Sequence, residues 1–343
     1  MPASADIPDH WTPLSAEIET AVLRAWPALE EIDRNGWVLR FAEGYSKRSN
    51  CVLIGPQPDK DVRSTALSRP LEAAREKAIL REAASMKCVG GADCRHEISV
   101  PELEERVRDC ERLYAERGMR TIFKLHGGVP AALDGLLESR GYTVADRTLF
   151  MSRDLNMEGA DRTSSASGTA ESAAGFAKDG LSRSVAGPSP HCASSATQTS
   201  LRCRPLGCDP WLAHWCRCSG TDLAAHDVHR RILDRIEPPT GFLALAAAAN
   251  GEDADPAACA MGVADGPLLG IFDVVVAANS RRRGLGTALM HGLLEFGGKH
   301  GAGLAYLQVV RHNRAARALY DSLGFAPAGS YWYRVSPDSR LHD

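Results

Sequence analysis

The chain has 343 residues, more than one ordinary compact domain needs, and 44% of them are apolar, which is enough for a proper buried core. Forty Lys and Arg stand against 43 Asp and Glu, for a net charge of −3. That balance excludes a broad basic field for nucleic acid or for an anionic membrane surface.

The N-terminal stretch MPASADIPDHW has neither a basic region nor an apolar core. The longest apolar run, GFLALAAAA at 241–249, is far short of the roughly 20 residues that span a bilayer. A cytoplasmic location is expected. Ten cysteines include Cys88 and Cys94 around a glycine turn, and Cys203, Cys208, Cys216 and Cys218 near His214. No C-x-x-C knuckle occurs, so the expectation is reduced thiols and no metal site.

In chain order, LSAEIETAVLRAWPAL (14–29) has apolar residues at helical spacing, and GWVLRFAEGY (36–45) alternates as a strand before turning at glycine. SRPLEAAREKAILREAASMK (68–87) is an amphipathic helix with Pro70 in its first turn. From about 158 to 202 Ser, Ala, Gly and Thr dominate, a composition that cannot bury enough apolar surface to offset backbone ordering. A disordered linker is expected over 156–202.

The region 203–337 repeats a strand–helix grammar. WLAHWCRCSGT and DVHRRILDRIE read as helices, GFLALAAAA and ACAMGVAD as strands, and GPLLGIFDVVVAA (266–278) as a strand buried on both faces. The helix TALMHGLLEFGGKHG, the strand LAYLQVV, the helix NRAARALYDSLG and a final strand pair around SYWYRV complete it. The two globular regions also align with each other. Gly118 with Gly301 and Gly141 with Gly324 are both 183 residues apart, which reads as a duplication.

Between the strand at 266–278 and the next helix lies Arg281-Arg282-Arg283-Gly284-Leu285-Gly286-Thr287. The first amides of a helix lack internal partners and carry the positive end of its dipole; glycines let an anion approach them, and arginines add forked donors. Downstream, Asn313 can cap a helix, while Tyr320 precedes the glycine stop at Gly324 and has a phenol able to give or take a proton.

The stretch 268–325 resembles the core of the GNAT acetyltransferase superfamily. Arg281 to Gly286 fits that family's (Q/R)-x-x-G-x-(G/A) loop, and Asn313 and Tyr320 fit its late helix. GWVLRFAEGYSKRSN (36–50) resembles a segment of a bacterial tandem-GNAT subgroup. The resemblance implies an α/β (α+β) fold of two GNAT-like domains, each a central mixed sheet flanked by helices. These would be a degenerate N-terminal domain at 10–155, with an insertion at 59–98, and a catalytic domain at 203–337.

It further implies transfer of an acetyl group from acetyl-CoA to an amine, by direct attack in a ternary complex. Cofactor-binding positions would be Val275, Val276, Arg281, Arg282, Gly284, Gly286, Thr287 and Asn313, with Tyr320 as general acid. Asp273, an acid inside an apolar strand, is the candidate base. One departure is Ala278, where many members have proline three residues before the loop arginine. It loosens the turn without removing a phosphate ligand.

Under the 183-residue offset, Gly284, Gly286, Asn313 and Tyr320 map to Pro101, Leu103, Pro130 and Leu137. None of these can cradle a phosphate or move a proton, so one active site per chain is expected. The acceptor would be a small-molecule amine, an amino acid or a peptide, with neither nucleic acid nor membrane as partner. The alternative is a non-catalytic acyl-CoA-binding sensor or scaffold.

Overall fold

The computed structural model describes residues 16–55, 98–156, 204–246 and 256–337. The helix expected at 68–87 and nearly all of the linker expected over 156–202 lie outside the described residues.

The N-terminal half runs α1 (Ala16–Ala25), β1 (Glu30–Arg34), β2 (Trp37–Phe41), β3 (Val52–Ile54), α2 (Val100–Ala115), β4 (Ile122–His126), α3 (Ala131–Ser139) and β5 (Thr143–Asp154). The C-terminal half begins with β6 (Arg204–Leu206), α4 (Cys208–Ser219), α5 (Asp227–Leu233), β7 (Thr240–Ala246) and β8 (Pro256–Asp265). It continues with β9 (Leu268–Val276), α6 (Leu285–Lys299), β10 (Leu304–Val310), α7 (Arg314–Ser322) and β11 (Ala326–Val335). No helix among the described residues is long and apolar enough to cross a membrane.

The strands make one mixed sheet in the order β1-β2-β3-β4-β11-β5-β10-β9-β8-β7-β6. The closing strand of each half sits against the other half. β11 pairs with β4 and β5, while β5 pairs with β10 over seven consecutive residue pairs. The strand pair expected around SYWYRV is therefore a single ten-residue strand with a neighbour on each side.

The side-chain period of two explains the layering. Leu149, Met151, Leu243 and Leu269 face α6 and α7, where Leu285, Leu289, Leu293 and Leu323 meet them. Phe150, Ala244 and Phe272 point the opposite way and pack on Trp211 and Leu212 of α4, Ile232 of α5, and Ala21 and Trp26. In the N-terminal half, Leu103, Val107, Leu133 and Leu137 of α2 and α3 cover Trp37, Leu39, Phe123 and Leu125. Each such buried side chain contributes about 2 kcal/mol.

The 183-residue offset is visible in the backbone. α3 and α7 each span nine residues at that spacing, and each is followed by a glycine in the left-handed region, Gly141 at φ +80° and Gly324 at φ +79°. A helix stopped this way needs a residue without Cβ strain at its exit.

Candidate functional site

The middle of the sheet opens at one point. β9 and β10 pair in parallel from Leu268↔Leu304 to Ile271↔Leu307, and the pairing ends there, although β9 continues to Val276 and β10 to Val310. Just beyond, Asp273 takes φ +50°, and the β8–β9 register shifts between Cys259 and Met261. This is a β-bulge, which bends its strand away from a neighbour. A non-glycine residue in the left-handed region costs roughly 1–3 kcal/mol.

The bend has a visible consequence. Leu268–Phe272 are buried, but Asp273–Val276 are half-exposed in the centre of the sheet. The expectation of a strand buried on both faces holds for the first part of β9 and fails for the second, because the bulge swings it out of its ladder.

At the open end stands the first turn of α6. A 3-10 turn at Ala278–Ser280 follows β9, and Arg281, Arg282 and Arg283 are all exposed. Gly284 is the N-cap at φ +76° with no side-chain cap on the helix, and its carbonyl accepts the Ala288 amide at 3.0 Å. A Cβ placed on Gly284 would meet nothing within 4 Å. Glycine is needed there for its backbone angle, and the space before the helix mouth is open. Gly286 packs closely on α7, since a Cβ there would reach the side-chain end of Leu319, Cδ2, at 3.0 Å.

Asn313 caps α7, its Oδ1 accepting the Ala316 amide at 3.1 Å. Tyr320 is buried in the cluster that also holds Leu285, with Val276 and Leu319 packed against it. Burial pushes its phenol up to about 12, so it remains protonated at neutral pH. Asp273 lies on the opposite face: its Oδ2 is 3.1 Å from His229 Nε2 of α5, and Val275 packs on the cluster around Trp26 and Trp211. Tyr320 and Asp273 thus flank the opening from its two sides.

The corresponding N-terminal positions are filled. Leu103 and Leu137 are fully buried, Pro101 is in the first turn of α2, and Pro130 stands at the N-cap of α3.

Two features lay beyond the sequence reading. One is the ring cluster behind Asp273, made by Trp26 and Tyr45 from the N-terminal half with Trp215, His226 and His229. Its only local trace in the sequence is the run of Trp and His within 211–229. The other is a cavity of about 850 Å³ along the stripe of α7 opposite Tyr320, lined by Arg147, Arg311, Arg314 and Arg317 with Asp146 and Asp321. Asp146 is already paired with Lys47 at 2.8 Å, so this flank is electropositive.

Residues 207–325 match the Acetyltransferase (GNAT) family. A stretch of 125 residues is 29% identical to the uncharacterized N-acetyltransferase YobR of Bacillus subtilis, covering 36% of this chain and 49% of that protein. A stretch of 58 residues is 41% identical to the [ribosomal protein bS18]-alanine N-acetyltransferase of Escherichia coli, covering 17% of this chain and 39% of that enzyme. The chain thus spans half or less of the length of these curated relatives. A GCN5-related N-acetyltransferase from Kribbella flavida has the same fold over 96% of this chain and 98% of its own, with a TM-score of 0.53 and 14% identity.

Proposed function

We propose that this chain, which carries a GNAT-family acetyltransferase domain at residues 207–325, moves an acetyl group from acetyl-CoA to a primary amine by direct attack in a ternary complex. The observation that carries this reading is the parting of β9 and β10 beside the uncapped, arginine-flanked mouth of α6. A thioester arm fits between the strands, and a diphosphate fits the amides of Gly284, Gly286 and Thr287 with Arg281 and Arg282 beside them. Backbone groups of Val275 and Val276, freed from the β10 ladder, line the arm. The Asn313 carboxamide, whose oxygen is engaged by its cap, keeps its amino group as a donor.

An alkyl amine is mostly protonated at neutral pH and cannot attack until it loses that proton. Asp273 is the base that takes it. Tyr320, a phenol held protonated, donates to the sulfur as it departs. The relatives named above support an amine acceptor, and the one acting on an alanine of ribosomal protein bS18 makes a peptide amine one candidate beside small amines and amino acids. With no counterpart of the loop in the N-terminal half, each chain has one active site, and that half completes the acceptor side.

The test is thiol release from acetyl-CoA against a panel of amines and peptides, alongside calorimetric binding of acetyl-CoA. Binding with turnover on at least one amine is expected. Binding without turnover on any of them leaves a sensor of acyl-CoA, and the absence of binding ends the reading.

A further inference from the structure

We infer that His229 is a positioning residue that makes Asp273 a competent base, and that the N-terminal half completes this pair through Tyr45. The inference rests on the acetyl-transfer reading above and assigns the acceptor side of that site.

His229 is 1% exposed, yet among the described residues neither of its ring nitrogens has a hydrogen-bond partner, and the same holds for Asp273 Oδ2. Nε2 and Oδ2 are nevertheless only 3.1 Å apart. They are in reach of each other but not aligned, so a small turn of the ring would join them. Buried polar atoms are nearly always satisfied, and a cluster of orphans marks a place kept for something other than stability. The backbone agrees, because the residue whose carboxylate faces His229 is also the one held at φ +50° in the bulge.

Rings from both halves enclose the imidazole. Trp26 and Tyr45 stand with centroids 5.3 Å away, Trp215 at 5.2 Å and His226 at 6.0 Å. Tyr45 reaches the pair through a defined loop. Asn50 Oδ1 accepts the amides of Ala42 at 2.7 Å and Gly44 at 3.0 Å, and the Tyr45 hydroxyl meets His226 Nδ1 at 2.9 Å. His226 Nε2 in turn meets Thr221 Oγ1 at 3.0 Å.

Several other titratable and charged groups face the pair. Burial, and then the neighbouring His229, hold His226 below its usual range. Burial, and then the Asp273 charge, push the Tyr45 phenol up. Burial raises the Cys216 thiol. The Arg48 guanidinium lies over the Trp26 and Phe272 rings, at 5.1 and 5.5 Å. The Asp222 charge acts on the His226 ring.

In the reaction the ammonium gives its proton to a carboxylate oxygen of Asp273, and the gained charge is shared with the imidazole facing Oδ2. The freed amine nitrogen then bonds to the acetyl carbon. The carbon–sulfur bond breaks with its electron pair left on sulfur, Tyr320 gives its phenol proton to that sulfur, and the surplus proton on the acylated nitrogen leaves through water to restore the phenol.

Two measurements test this. In ring-¹⁵N-histidine NMR of the full chain, His229, assigned by its loss in His229→Gln, is expected to show a slowly exchanging ring N–H that disappears in Asp273→Asn. Absence of that signal from the wild type overturns the pair, whatever the outcome of the activity assay. In the thiol-release assay, His229→Gln is expected to lower kcat about 100-fold with acetyl-CoA affinity unchanged. The acid limb of its pH–rate profile should be displaced from that of wild type. Tyr45→Phe should move the same limb by less. An acid limb identical to wild type in both variants means that His229 only packs, and the inference fails. A wild type that releases no thiol with any amine defeats the acetyl-transfer reading instead, and the NMR result then decides the pair alone.

Discussion

Tyr331 and Thr148 are paired where β11 meets β5, so the closing strands of the two halves lie side by side at the centre of the sheet. Neither half keeps its own last strand to itself. Residues 204–343 alone would leave the β10 edge bare where β5 makes seven pairs. They would also lose the contact of Arg334 with Asp134, whose guanidinium is almost fully buried and bonds that carboxylate at 2.8 and 3.0 Å. The fragment is expected to aggregate when expressed alone and to be recovered as a folded complex when residues 1–156 are co-expressed. Size-exclusion chromatography with circular dichroism decides it, and a monomeric, cooperatively melting 204–343 fragment is the contrary result.

The repeat was legible because glycines punctuate it. Gly118 and Gly301, like Gly141 and Gly324, sit at equal spacing and all adopt positive φ, a need that only glycine meets cheaply. The exchange of β5 and β11 left no such trace, since an alternating strand reads the same beside either neighbour. The loop at 281–286 was legible for the same reason as the repeat, its glycines and arginines being adjacent in sequence. The contact of His229 with Asp273 was not, because it joins residues 44 positions apart through a bulge that no residue preference demands.

At Gly284 two substitutions separate backbone strain from charge. Gly284→Ala faces open space and pays only for its φ of +76°, a cost of about 1 kcal/mol. Its acetyl-CoA affinity should stay within a few-fold of wild type. Gly284→Asp puts a carboxylate at the helix mouth, where it repels a diphosphate and satisfies the free amides itself. Calorimetry should detect no acetyl-CoA binding, while the thermal midpoint holds or rises. If the aspartate variant bound normally, the loop assignment would be wrong.

Tyr320→Phe removes a hydroxyl that makes no hydrogen bond among the described residues, so the fold should lose little. Its effect belongs to the chemistry. Because burial pushes this phenol up to about 12, it is protonated across the working range, and wild type should show no alkaline limb from Tyr320 below about pH 11. The variant should lose roughly 100-fold in kcat, with acetyl-CoA affinity within twofold. Turnover equal to wild type would reduce Tyr320 to a packing residue.

Stability should also fall on mild acidification, and His126 is the reason. Its Nδ1 accepts the Gly128 amide at 3.0 Å, a role open only to the neutral ring. Burial, and then the Lys124 charge, lower it from 6.5 to about 4. The unfolded chain therefore takes up a proton below pH 6.5 that the native state refuses until about pH 4. The contribution is complete above pH 6.5, declines as pH drops through that window, and is level below it. Asp134, lowered chiefly by its bonds with Arg334, adds its own loss only below 3.8, so the two windows do not overlap. Urea midpoints measured from pH 7.5 to 4 should fall in wild type and fall less in His126→Gln, whose side-chain carbonyl can still accept the Gly128 amide. Parallel slopes for the two proteins would place the titrating group elsewhere.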